Sequence, residues 1–236
     1  GFYWLDIHAV QAGGGYVISN VAEAGRRAIE TVQTTLEPEF VYPLLRGRDV
    51  SQWCSRSSQF ILVPQDPEHP DKAYAEERMQ AEFPRTFAYL HHFRAGLLSR
   101  SGYRQYFKPS DPFYSLYNVG PYTFAPCKVV WRYISSQFTC AVVGSAPMPD
   151  GGRKVAVPET KLVLVPFANE VEAHYLCACL SSSPSKYLVG SYAVNIQIAT
   201  HVLDYVSVPK FDSQEARHRE LAVLSETAHL AVARGD

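Results

Sequence analysis

Phe124-Ala125-Pro126-Cys127-Lys128-Val129-Val130-Trp131-Arg132-Tyr133-Ile134, Ser135-Ser136-Gln137 and Phe138-Thr139-Cys140-Ala141-Val142-Val143 follow one another and decide the fold. Two runs rich in β-branched and aromatic residues flank a short polar turn, which predicts an antiparallel hairpin. Such a pair needs no helical crossover, so the sheet grows by local hairpins. Working outward, short strands are predicted over 16–18, 60–63, 155–157 and 162–165. Helices are predicted over 22–32, 72–82, 84–99, 170–180 and 213–233. Val171, Tyr175 and Leu176 should face inward on the fourth helix, and Leu221, Leu224, Ala228 and Ala231 on the last. Residues 189–198 read as a strand region that sets Asn195 and Gln197 on one face. The fold class expected is α+β: a mixed, largely antiparallel sheet with several flanking helices and a C-terminal helix.

The 236 residues are 47% apolar and 13% aromatic, enough for a substantial core. Formal charge is −1, which does not announce a nucleic-acid binder. The distribution is uneven. From 94 to 132 the basic residues Arg94, Arg100, Arg104, Lys108, Lys128 and Arg132 face a single acid, Asp111. From 66 to 82 six acids outnumber Lys72 and Arg78. A neutral total can therefore hide a basic face and an acidic one. The five cysteines are odd in number and show no zinc-ligand spacing, as expected of reduced thiols in a cytoplasmic protein. No apolar run approaches membrane-spanning length. The chain starts at Gly1 without an initiator Met, as a piece of a longer protein would.

Val41-Tyr42-Pro43-Leu44-Leu45-Arg46-Gly47-Arg48-Asp49-Val50 ends an apolar run on two arginines around a glycine. Arginine presents planar, forked donors suited to phosphate or a guanine edge. The competing expectation is a surface turn in which these arginines pair with Asp49. Between 102 and 122 seven aromatic residues interleave with Arg104 and Lys108, a composition suited to base stacking and phosphate contact. Packing of those rings under a long loop is the plainer alternative.

Several fragments resemble catalytic motifs. Gly13-Gly14-Gly15 lacks the Gly-Lys-Ser/Thr and the helix that a phosphate loop requires. Asp111-Pro112-Phe113-Tyr114 misses the second proline of the Asp/Asn-Pro-Pro-Tyr/Phe loop of amino-methyltransferases. Asp150, Glu159 and Lys161 fit the loose pattern of a Mg²⁺ nuclease, with two carboxylates on the metal and a lysine assisting water. The histidines are scattered.

Taken together, Tyr42 to Val50 with Trp53, Phe83-Pro84 with Tyr89-Leu90, Tyr117-Asn118-Val119 through Lys128 to Arg132, Glu172 to Leu176, and Asn195 to Ile198 running to Val208-Pro209 carry a resemblance. In order and spacing the chain resembles the C-terminal target-recognition region of bacterial adenine-specific DNA methyltransferases, including type IIG restriction–modification enzymes. At the late helix the family's Leu-Asn-Ser is replaced by Leu180-Ser181-Ser182. The resemblance implies a DNA target-recognition domain over 1–210 and a helix over 211–236 that packs on it or on a catalytic half outside this chain. It implies double-stranded DNA and that methyltransferase domain, on the same polypeptide, as partners. S-adenosylmethionine would be held in the absent domain; no cofactor, metal or catalytic residue is expected in this chain.

Recognition divides into phosphate contacts that set register and base contacts that read sequence. Arg46, Arg48, Arg104, Lys108, Lys128 and Arg132 suit the first. Asn118, Asn195 and Gln197 carry the paired donor and acceptor that reads adenine, with Thr200 and His201 beside them. Two other functions compete: the Mg²⁺ nuclease, and a protein-interaction scaffold of a defence complex.

Overall fold

The structure, a computed structural model, describes residues 1–24, 29–192 and 197–235. Strands β1 (Trp4–Val10), β2 (Tyr16–Asn20), β3 (Gln33–Leu36), β4 (Val41–Leu45), β5 (Val50–Ser51), β6 (Cys54–Ser55) and β7 (Gln59–Leu62) come first. Helices α1 (Glu76–Glu82), α2 (Pro84–His92), α3 (Arg94–Leu98) and α4 (Ser101–Tyr106) follow. Next are β8 (Cys127–Arg132), β9 (Cys140–Val143), β10 (Ser145–Pro147), β11 (Arg153–Val155), β12 (Val157–Pro158) and β13 (Leu162–Phe167). Helices α5 (Glu170–Ser181), α6 (Ser183–Tyr192) and α7 (Ala216–Arg234) come last. The class is α+β with largely antiparallel pairing, as expected.

The chain forms two compact units. The first comprises Gly1–Leu44, Gln59–Phe124 and Pro147–Lys154; the second comprises Leu45–Ser58, Ala125–Ala146 and Val155–Asp236. Helix α7 belongs to the second unit.

In the first unit, β4, β7, β1, β2 and β3 lie side by side in that order. Leu5 pairs with Asn20 and Val10 with Tyr16, so β1 and β2 form a hairpin. Its turn uses Gly13 and Gly14 at φ +105° and +91°, which a side chain would strain. Gly13-Gly14-Gly15 is thus a hairpin turn. Leu5, Tyr16, Ile18, Leu36 and Leu62 point to one face and meet Met79, Leu90, Phe93, Leu97, Phe113 and Tyr114 from the helices and following loop. Pro84 opens α2. The Glu37 carboxylate accepts the Arg85 and Thr86 N–H groups at 3.0 and 2.7 Å, meeting orphan donors at the positive end of that helix. The helix predicted over 84–99 is two, α2 and α3, broken at Phe93.

In the second unit β8 sits between β13 and β9, pairing Leu162 with Arg132 and Trp131 with Cys140. The predicted hairpin is present. Alternation works on both faces because both are covered. Cys127, Val129 and Trp131 pack with Ala173, Cys177 and Leu180 of α5. Val130 on the other face packs with Leu45, Val50, Ala156 and Leu162. The Asn169 side chain accepts the Val171 N–H at 2.9 Å and caps α5, and α7 lies along α5.

Four local expectations fail among the described residues. Over 22–32 there is only a 3₁₀ turn, Ala22–Ala24, before residues 25–28, which lie outside the described set. Over 189–192 helix α6 stands where a strand was expected, residues 193–196 lie outside the described set, and Gln197 makes an antiparallel bridge with Ile134. The serine-rich segment that ends α5 also starts α6: Ser182 is extended and its hydroxyl accepts the Ser185 N–H at 3.4 Å, with Pro184 in the first turn. On α7 the inward residues are Ala222 and Ser225, while Leu224 is 58% exposed. Small residues bring α7 close to α5, and the predicted stripe is displaced. Val171 likewise faces out.

Candidate nucleic-acid interface

Arg46 follows β4 and Gly47–Asp49 forms a single 3₁₀ turn. Asp49 Oδ2 accepts both the Arg46 backbone N–H (2.9 Å) and its Nε–H (3.2 Å). Arg46 Nη2 donates to Ser58 Oγ at 2.5 Å. The Gly47 N–H donates to Glu159 Oε1 at 2.7 Å. Arg46 is 6% exposed, so it braces the turn instead of reaching outward. Arg48 points out, its side chain 69% exposed and only loosely near Asp49 at 3.9 Å. The expectation that both arginines face a ligand is corrected: one builds the turn and the other is presented by it.

Arg132, at the end of β8, donates Nε–H and Nη2–H to the Val50 carbonyl at 2.9 and 2.6 Å and holds the far side of the same turn. The next residue, Tyr133, accepts the Ile198 N–H through its carbonyl and donates its hydroxyl to Gln197 Oε1 at 3.4 Å. One end of β8 therefore supports both the arginine turn and Gln197. Gln197, Thr200 and His201 are exposed. Asn195 lies outside the described residues.

Lys128 is fully buried. Its Nζ donates to the carbonyls of Ala125 (2.8 Å) and Ala156 (3.3 Å), and burial lowers its pKa to about 8. It cannot touch a phosphate from there. The sequence missed this because alternation on a two-sided strand places every residue under cover.

In the first unit, Arg104 on α4 and Lys108 just after it are exposed. Tyr106 and Tyr117, 50% and 51% exposed, stack with ring centroids 3.9 Å apart at 11°. Asn118 follows in the left-handed region at φ +59° and accepts the Tyr122 hydroxyl at 3.0 Å. The other basic residues of this stretch are engaged with neighbouring groups, Arg94 half-exposed at the surface. Arg94 sits over Phe113 and pairs with Glu76 at 3.3 Å, and Arg100 donates to the carbonyls of Leu97, Phe113 and Ser115. The basic run in sequence is therefore not a basic face. A cavity of about 600 Å³ in this unit is lined by Asp71, Glu76, Glu77 and Asp111, walls that repel phosphate.

The motif fragments have structural occupations. The Asp111 carboxylate accepts the Lys108 N–H at 2.7 Å, while Phe113 and Tyr114 are core. Asp150 belongs to the first unit and Glu159 and Lys161 to the second. Asp150 takes the Tyr16 hydroxyl at 2.6 Å, the bond chiefly responsible for holding its carboxyl below the usual range, and Glu159 takes Gly47.

No protein-family model matches this chain, and no curated protein matches it either.

Proposed function

We propose that this chain is the double-stranded-DNA recognition module of an adenine-specific DNA methyltransferase of a bacterial restriction–modification system. The observation that carries the reading is the braced turn that presents Arg48. Four hydrogen bonds to Asp49, Ser58 and Glu159 fix its backbone and Arg46, so contact with a phosphate or a guanine edge has to order the Arg48 side chain but not the turn that carries it. Gln197, Thr200 and His201 in the same unit supply base-reading groups. In the other unit, Arg104, Lys108, the Tyr106–Tyr117 stack and Asn118 supply charge, aromatic surface and an amide.

S-adenosylmethionine and the methyl transfer belong to a catalytic domain outside this chain. Gly13-Gly14-Gly15 is a hairpin turn, which does not fit a cofactor-binding strand–loop–helix unit. The outward side of α7, with Val223, Leu224 and Leu230 at least half exposed, suits packing on such a domain.

Fluorescence-anisotropy titration of duplex DNA at two salt concentrations tests the proposal. Expected is weak binding, with a Kd on the order of micromolar or poorer, that weakens further with salt. Binding indifferent to salt, or absent throughout, rejects it.

A further inference from the structure

Within the second unit, the sulfurs of Cys140 on β9 and Cys177 on α5 lie 3.7 Å apart, and both residues are fully buried. All five cysteines are free thiols. A disulfide needs a sulfur separation of about 2.05 Å, so closure asks for a shift of under about 2 Å. The surroundings distinguish the two sulfurs. Cys140 Sγ also lies 3.3 Å from Ser181 Oγ. That oxygen also accepts Gln52 Nε2–H at 2.8 Å. Cys140 Sγ also donates to the Cys177 backbone carbonyl at 3.8 Å. The side-chain hydrogen bond with Cys177 holds the Cys140 pKa below the ordinary thiol value, and the same bond together with burial pushes Cys177 up. The remaining buried thiol, Cys127, is engaged with the Phe167 carbonyl at 3.3 Å.

We infer that Cys140 and Cys177 form a redox-modification site at which a small peroxide converts the two thiols into a reversible intramolecular disulfide. Burial restricts the oxidant to molecules near the size of water. The Cys140 thiolate attacks one peroxide oxygen, the O–O bond breaks, and the departing hydroxide takes up the proton lost on ionisation. Cys140 is then a sulfenic acid. The Cys177 sulfur attacks it, the S–O bond breaks, and the Cys177 proton leaves with that hydroxide as water. Two thiols and one peroxide become one disulfide and two waters. The Cys140 carbonyl accepts the Trp53 N–H at 3.3 Å, so the modified residue contacts the segment just beyond the arginine turn. The inference stands independently of DNA binding.

Hydrogen peroxide titration of the full chain, with differential alkylation and peptide mass mapping, tests it. Expected are loss of two of the five thiols, a Cys140–Cys177 linked peptide lighter by two hydrogens, and full recovery with dithiothreitol. Cys177→Ser should stop at a Cys140 sulfenic acid trapped by dimedone, and Cys140→Ser should form no link. Circular dichroism identifies whether each variant folds; if neither does, the wild-type map decides alone. Survival of all five thiols, linkage of another pair, or intermolecular links only would overturn the inference.

Discussion

Arg46 and Arg48 differ by two positions and by nearly everything else. Arg46→Ala removes a buried partner of Asp49 and Ser58, and should destabilise the fold by about 2–4 kcal/mol, read as a shifted denaturant midpoint. Arg48→Ala should leave the midpoint in place, weaken DNA binding across sequences, and reduce the salt slope by about one unit. If Arg48→Ala binds as wild type, the turn is removed from the interface. Lys128→Ala gives the reverse pattern: a loss of about 2–4 kcal/mol from a cavity and two unmet carbonyls, with the salt slope of binding unchanged. The Arg46–Asp49 pairing was legible, since the partners are three residues apart. The Gly47–Glu159 brace was not, because 112 positions separate its ends and nothing in local composition links them.

At the scale of elements, the contact between α5 and α7 carries two imidazoles, His174 buried and His229 half-buried. His229 donates Nδ1–H to the Ser225 carbonyl at 2.7 Å and accepts the Val142 N–H through Nε2 at 2.9 Å. His174 Nδ1 lies 3.0 Å from Ser225 Oγ. Burial lowers both pKa values below the ordinary 6.5; nearby Glu226 opposes this at His174, and His174 reinforces it at His229. Glu170 and Glu226 line the adjoining cavity of about 210 Å³. A group whose folded pKa is depressed takes up protons more readily unfolded, so this part of stability is complete above pH 6.5 and declines as pH falls below it. Thermal melts across that range should show the decline, and His229→Gln should flatten it; a flat wild-type profile contradicts the assignment. Ala222→Leu should cost about 1–3 kcal/mol by forcing the helices apart, whereas Leu224→Ser should stay within about 0.5 kcal/mol. Hairpin β8–β9 was readable because alternation and a polar turn are local signals. Helix α6 was not, because its start is set by a serine cap that also reads as a break, and its apolar residues Leu188 and Val189 run on in sequence toward the alternating segment beyond it.

For the whole molecule, composition misleads in both directions. A net charge of −1 conceals the exposed cations, and a basic run in sequence overstates them, since Arg94, Arg100, Lys128 and Arg132 are all committed internally. Arg48 remains in the second unit and Arg104 and Lys108 in the first, so the slope of log K against log salt should be no steeper than about −3, about 0.9 per phosphate contact, whichever unit engages the DNA. A slope near −6 would mean that the internally committed cations are recruited and the assignment of their roles is wrong.

Each unit is assembled from three separated segments of chain, and the path passes between units after residues 44, 58, 124, 146 and 154. During synthesis the first unit cannot close until Lys154 has left the ribosome, by which time two of the three segments of the second have already emerged. Nascent-chain folding should therefore begin late, and no single cut in the gene can release either half as an intact body.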